Sequence, residues 1–203
     1  MIKELASSTR SVRRAIDAQR TVGPMLYAFG FERLGVLVGD LYFVNPRPLD
    51  GQAGPERGVR LELRLLERRP LQGGIYSAQP IGVERPLWRV DLLESVDSPP
   101  GSLDRAHHHP AFDGWEPGPR YFAPELSAAP VDWLAGQLAD PDAVLGRAGV
   151  AAGEVGPADL AGVRDAAPEI VDAVRRLLAR VHAGELGRPD DDRELVSARI
   201  GWL

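Results

Sequence analysis

Residues 58–67, GVRLELRLLE, put Val59, Leu61, Leu63 and Leu65 on one face of an extended chain and Arg60, Glu62 and Arg64 on the other. A period of two marks a strand with one buried and one polar face, and such a strand needs neighbours. The flanking segments supply them. LGVLVGDLYFV (34–44) is rich in β-branched and aromatic residues, and in PLWRVDLLES (86–95) Trp88, Val90 and Leu92 face one way while Arg89 and Asp91 face the other. The Gly/Pro loop PRPLDGQAGPERG is longer than a tight hairpin, so antiparallel pairing is expected but the register is undefined. GIYSAQPIGV contains Pro80, which cannot donate to a ladder, and reads as an edge strand or two broken pieces.

Helical periodicity brackets these strands. In residues 1–22, Ile2, Leu5, Val12 and Ile16 form the apolar side of an amphipathic helix that Gly23-Pro24 ends. After residue 122, Pro130 and Pro141 suit first turns, with Asp140 as an N-cap. A helix starting near Pro168 carries the stripe Ile170, Val171, Val174, Leu177, Leu178 and Val181 and ends around Gly184 to Gly187; the Gly146-to-Gly156 stretch reads as a helix–helix linker. The tail permits a helix capped at Asp191 or a strand through Val196, Ala198, Ile200 and Trp202; a hydrophobic terminus adding to a sheet edge favours the strand.

Strands followed by helices predict an α+β fold: an antiparallel sheet of about four to five strands, with an N-terminal helix and a C-terminal helical region packed on one face. The sheet's arginine/glutamate face is then solvated or covers a partner. The divisions are residues 1–22, the sheet region 34–122 with a His-rich loop at 96–120, the helical region 130–187, and an acidic linker with an apolar segment at 188–203.

Composition removes several chemistries. There is no cysteine, which excludes disulfides, thiolate metal sites and cysteine nucleophiles. Of 24 Lys+Arg only Lys3 is lysine, so phosphate-loop and Schiff-base lysines have a single candidate. The net charge is −5, with a basic excess in residues 1–89 and an acidic excess in 90–203. That division suits a protein partner or a self-complementary homo-oligomer, and only weakly a nucleic acid. The apolar run Leu34 to Val44 is broken by Asp40 and too short to span a bilayer, so no membrane association and a cytoplasmic location are expected.

Three of the four histidines are consecutive, His107, His108 and His109. In an extended chain the first and third converge while the second points away. His107 and His109 with Asp104 and Asp113 are therefore candidate ligands for a divalent transition metal, with His182 at an unknown distance. The catalytic alternative uses one imidazole as base and another as acid, with Arg105 and Arg120 stabilising charge on a phosphate. The plain alternative is a solvated histidine turn, with Phe112, Trp115, Tyr121 and Phe122 anchoring a stiff loop to the sheet.

Two resemblances attach to this stretch. Gly101, His107-x-His109 and Asp113 resemble the first cupin motif with aspartate for glutamate, but no second histidine motif follows and the chain turns helical where cupins continue as strands. WRVDLL, DRAHHH, RYF and the helix near PVDWLAGQLAD together resemble the C-terminal half of TumE-like toxins of bacterial toxin–antitoxin systems. That resemblance implies an intracellular toxin acting on RNA or nucleotides and neutralised by a cognate partner. Two functional classes follow. One is a cytoplasmic bacterial interaction or ligand-binding protein working in an oligomer or complex. The other is a small metal- or histidine-dependent hydrolase, a phosphodiesterase or RNA-directed toxin, centred on residues 107–109.

Overall fold

The structure, a computed structural model, describes residues 25–45, 48, 50, 54–186 and 199–200. The predicted N-terminal helix and most of the 188–203 segment lie outside the described residues. The fold is α+β. Strands β1 (Leu26–Gly30), β2 (Leu34–Val44), β3 (Pro55–Arg68), β4 (Ile81–Ser95) and β5 (His107–His109) form an antiparallel sheet in that order. A short hairpin, β6 (Phe112–Asp113) with β7 (Glu116–Pro117), stands apart, and β8 (Arg199–Ile200) pairs with β2 at Tyr42 and Phe43. Helices α1 (Pro124–Ala128), α2 (Pro130–Ala139), α3 (Pro141–Arg147) and α4 (Pro157–His182) follow β7.

The alternation of β3 determines which face is covered. Leu61 sits between Val38 and Val90, and Leu63 between Val36 and Trp88. These side chains meet Leu134 and Leu138 of α2 and Val163, Ile170, Val174, Leu177 and Val181 of α4 in one core. Each fully buried aliphatic side chain contributes roughly 1.5–3 kcal/mol, so this layer holds the helices on one face. Asp140 caps α3 by accepting from the Ala143 N–H at 3.2 Å.

Three local expectations are corrected. The segments around Pro80 and Trp88 are one strand rather than an edge strand and a neighbour: Pro80 falls just before β4, and Pro86 is absorbed where the β3–β4 register shifts at Arg64. β1, too short for a clear periodic signal, occupies residues before the first predicted strand. The long helix begins at Pro157 and runs through Pro168. An interior proline costs ~3 kcal/mol, but Val163 before it and Ile170 after it are both buried in the core, which outweighs that cost.

The polar face is also not solvated. Arg60, Glu62, Arg89 and Asp91 are all buried. Their register makes this tolerable, because Arg60 lies opposite Asp91 and Glu62 opposite Arg89, and buried charges survive when paired. The β6–β7 hairpin lies over them. Phe112 presents its ring to the Arg89 guanidinium at 5.8 Å, and Trp115 its ring to Arg64 at 5.1 Å. No helix among the described residues is long and apolar enough to cross a membrane.

Candidate metal centre

The loop after β4 returns the chain along that strand's free edge. Asp104 folds it by accepting from the Ser95 N–H and from the Ser98 and Ser102 hydroxyls at 3.0–3.1 Å. Those bonds hold the Asp104 carboxyl below its ordinary range against the opposing effect of burial. Gly101 supplies a left-handed turn at φ 87° while its N–H donates to Glu94 at 2.6 Å. The Arg105 N–H then reaches the Leu93 carbonyl and β5 begins.

Pairing with β4 sets His107 opposite Asp91, His108 opposite Val90 and His109 opposite Arg89. His107 and His109 therefore share the buried polar face with Asp91. His108 faces the helices, its ring 5.1 Å from that of Trp133 and 5.2 Å from that of Tyr121. One nitrogen of each converging histidine, with one Asp91 oxygen, forms a group whose atoms all lie within 4.8 Å of one another. Asp91 is fully buried and the two imidazoles are nearly so.

The hydrogen bonds to the far side of each ring decide what the near side offers. His107 Nδ1–H donates to the Arg105 carbonyl at 2.7 Å and His109 Nδ1–H to the Gly118 carbonyl at 2.6 Å. A carbonyl only accepts, so each Nδ1 carries a proton, and in the neutral form of either ring the lone pair lies on Nε2. Those two Nε2 atoms stand 3.4 and 3.6 Å from Asp91 Oδ2. Ligands about 2.1 Å from a shared ion are separated by roughly 3.0–3.4 Å in octahedral or tetrahedral arrangements, so both spacings need only small adjustment. Burial keeps the His109 imidazole below its ordinary value, against the pull of Asp91, which leaves it neutral near pH 7.

Asp91 is ionised. Burial opposes its charge, but the Arg60 and Arg89 guanidiniums overcome that and hold the carboxyl well below the usual range. Arg60 donates from Nε to Oδ1 at 2.5 Å and from Nη2 to Oδ2 at 3.2 Å. Arg89 brings Nε to 3.0 Å from Oδ2 and Nη2 to 2.7 Å from His109 Nε2.

The structure thus brings together two of the histidines expected to converge and replaces the other expected groups. Asp104 is occupied in its loop. Asp113 is exposed on the hairpin and contributes no atom to the triad. The guanidiniums at the triad are Arg60, on Asp91, and Arg89, on Asp91 and His109. Arg105 instead reaches Asp104 at 3.6 Å, and Arg120 donates two 3.3 Å bonds to Glu56. His182 lies 3.6 Å from Glu94, on the helix-covered side of the sheet. A solvated histidine turn is excluded by the burial of His107 and His109. In the sequence Asp91 falls in an acidic run with Glu94, Asp97 and Asp104 that could offer oxygen ligands to a divalent ion, but its pairing with the histidines is hidden because DRAHHH looks like loop. No protein-family model, no curated protein and no solved structure matches the chain.

Proposed function

We propose that the chain is a divalent-metal-dependent hydrolase acting on an anionic ester, the phosphodiester class first, with His107, His109 and Asp91 holding the ion. The observation that carries this reading is the convergence of His107 Nε2 and His109 Nε2 on one Asp91 oxygen, on rings whose Nδ1–H groups are each held by a main-chain carbonyl. In this structure the Arg60 and Arg89 guanidiniums compensate the Asp91 charge and Arg89 Nη2 sits on His109 Nε2, so a metal ion would share or replace those cationic contacts. Two imidazoles and one carboxylate suit zinc, iron, manganese, cobalt or nickel, and three protein ligands leave positions open for water and substrate.

A divalent ion held by His107, His109 and Asp91 would supply an acidified water and Lewis-acid polarisation of the ester. The chain's own residues do the remainder. Arg60 holds the carboxylate in place, the Arg105 and Gly118 carbonyls hold the rings, and the buried setting strengthens each interaction. The cationic groups beside the triad favour an anionic substrate over a neutral one. The β6–β7 hairpin covers this side of the triad, with the Phe112 ring against Arg89 and Trp115 largely exposed.

Metal content of the purified chain, cobalt(II) binding, and hydrolysis of bis(p-nitrophenyl) phosphate test the reading, each compared with a His107→Gln/His109→Gln double variant. Glutamine keeps an N–H for the carbonyls and loses the imidazole lone pairs. Metal and hydrolysis are expected in the parent and absent from the variant. A parent that binds cobalt no better than the variant overturns the metal centre. Hydrolysis that survives removal of all metal assigns the chemistry to the histidine pair as acid and base.

A further inference from the structure

We propose that Arg89 is an anion clamp parked on the metal ligands, so that metal and phosphodiester bind cooperatively; this rests on the metal centre proposed above. Arg89 Nη2 lies 2.7 Å from His109 Nε2 and its Nε 3.0 Å from Asp91 Oδ2. Those are two of the three atoms that ligate the ion. A lone pair that accepts from a guanidinium cannot also bind a cation, and the guanidinium never gives up its charge. An arriving ion therefore displaces Arg89 from His109 Nε2, which has one lone pair, and competes with its charge at Asp91 Oδ2.

Arg60 behaves differently. It bonds Oδ1 as well as Oδ2, so it keeps Oδ1 while the ion takes Oδ2, and serves as the outer support of the ligand carboxylate. Arg89 has nowhere distant to go. Its Nη1 is already 3.8 Å from Glu62 Oε1, and the Phe112 ring lies 5.8 Å from its guanidinium. Held by those neighbours, a displaced Arg89 would keep its planar fork close to the triad, where it could meet an anion bound to the ion. A guanidinium next to a dication is repulsive unless an anion bridges them. The bridging anion must offer one oxygen to the ion and another to the fork, which a phosphodiester monoanion does.

Arg89 thus imposes two linked effects. Without anion it weakens metal binding by competing for the ligands, and with anion it strengthens it. By thermodynamic linkage dimethyl phosphate must raise cobalt affinity by the same factor that cobalt raises dimethyl phosphate affinity.

The test titrates cobalt(II), read by its visible bands, into the full chain with and without dimethyl phosphate, in the parent, Arg89→Gln and Arg89→Lys. In the parent, dimethyl phosphate is expected to tighten cobalt binding about tenfold. In Arg89→Gln, cobalt alone binds at least about tenfold more tightly and the dimethyl phosphate effect falls to near one. Arg89→Lys keeps a positive charge should the glutamine variant fail to fold; its ammonium lacks the fork, so the coupling shrinks. Cobalt binding in the parent that is indifferent to dimethyl phosphate overturns the clamp and leaves the metal centre standing. No cobalt binding in the parent or in either variant overturns both.

Discussion

Asp159, in the first turn of α4, accepts a 3.0 Å hydrogen bond from the main-chain N–H of Leu34, the first residue of β2. The same oxygen accepts from Arg33 N–H at 2.8 Å, and the other carboxylate oxygen accepts from Gly156 N–H at 3.0 Å. One buried side chain therefore caps the long helix and closes the turn between β1 and β2. It ties the helical layer to the sheet at the end of β2 away from β8.

Asp159→Ala leaves three main-chain N–H groups without this acceptor. Hydrogen bonds to a charged group contribute about 1.5–3 kcal/mol each, and unsatisfied buried donors cost more. The expected loss in urea unfolding is about 3 kcal/mol or more. Asp159→Asn recovers part of it, since its carbonyl serves Arg33 and Leu34 while its amide opposes the Gly156 donor. A loss below ~1 kcal/mol in the alanine variant would mean that water replaces the carboxylate.

The sheet was legible because β3 alternates without interruption and its neighbours match it. The helices were legible where apolar residues recur at helical spacing. What escaped depended on tertiary pairing. Pro168 reads locally as a helix start, yet burial of Val163 and Ile170 on either side carries the helix through it. The candidate site was half legible. Consecutive histidines separate onto two faces in any extended chain, so the convergence of His107 with His109 follows from local geometry. Their third partner does not. Asp91 lies across a strand pairing whose register is set by the Asp104-centred loop, and spacing along the chain pointed instead to the nearer carboxylates, Asp104 and Asp113.

Asp91 bears on both stability and metal binding. Asp91→Ala leaves Arg60 and Arg89 buried around an uncompensated gap, and breaking such a pair costs about 3–5 kcal/mol. In the parent, cobalt(II) at a hundredfold over its dissociation constant adds about 2.7 kcal/mol, seen as a raised Tm. In Asp91→Asn, which keeps the shape, the cobalt-dependent rise is expected to disappear. A full rise in that variant would place the ion elsewhere.

His108 predicts an acid limb in the stability profile. Burial, then the neighbouring His109 and His107 and Arg147, push its imidazole down from 6.5 to about 4. The unfolded chain takes up this proton near pH 6.5 and the folded chain only near 4, so stability is full above 6.5 and is lost as pH falls through that window. The contribution is on the order of 3 kcal/mol at most. His108→Phe fits between Trp88, Tyr121 and Trp133 and is expected to flatten Tm between pH 6.5 and 4 relative to the parent. An unchanged slope would assign the limb to other groups.

Asp40 predicts the opposite sign. It is fully buried on β2 and accepts from the Met25 N–H at 2.7 Å, while Arg180 Nη1 stands 3.1 Å from its other oxygen. Burial raises its carboxyl above the ordinary value despite that N–H and the Arg180 charge. The folded state therefore holds this proton more tightly than the unfolded chain, and stability falls as pH rises from the unfolded value of 3.8 through the folded one. Asp40→Asn still accepts from Met25 and carries no charge, and Arg180 retains its 3.2 Å bond to Glu185. The variant is expected to match or exceed the parent at pH 7 by up to about 1 kcal/mol, with the difference vanishing near pH 3 in urea unfolding. A loss of ~1 kcal/mol or more at pH 7 would show that the Arg180 ion pair outweighs the desolvation of Asp40, because only the charged carboxylate forms that pair.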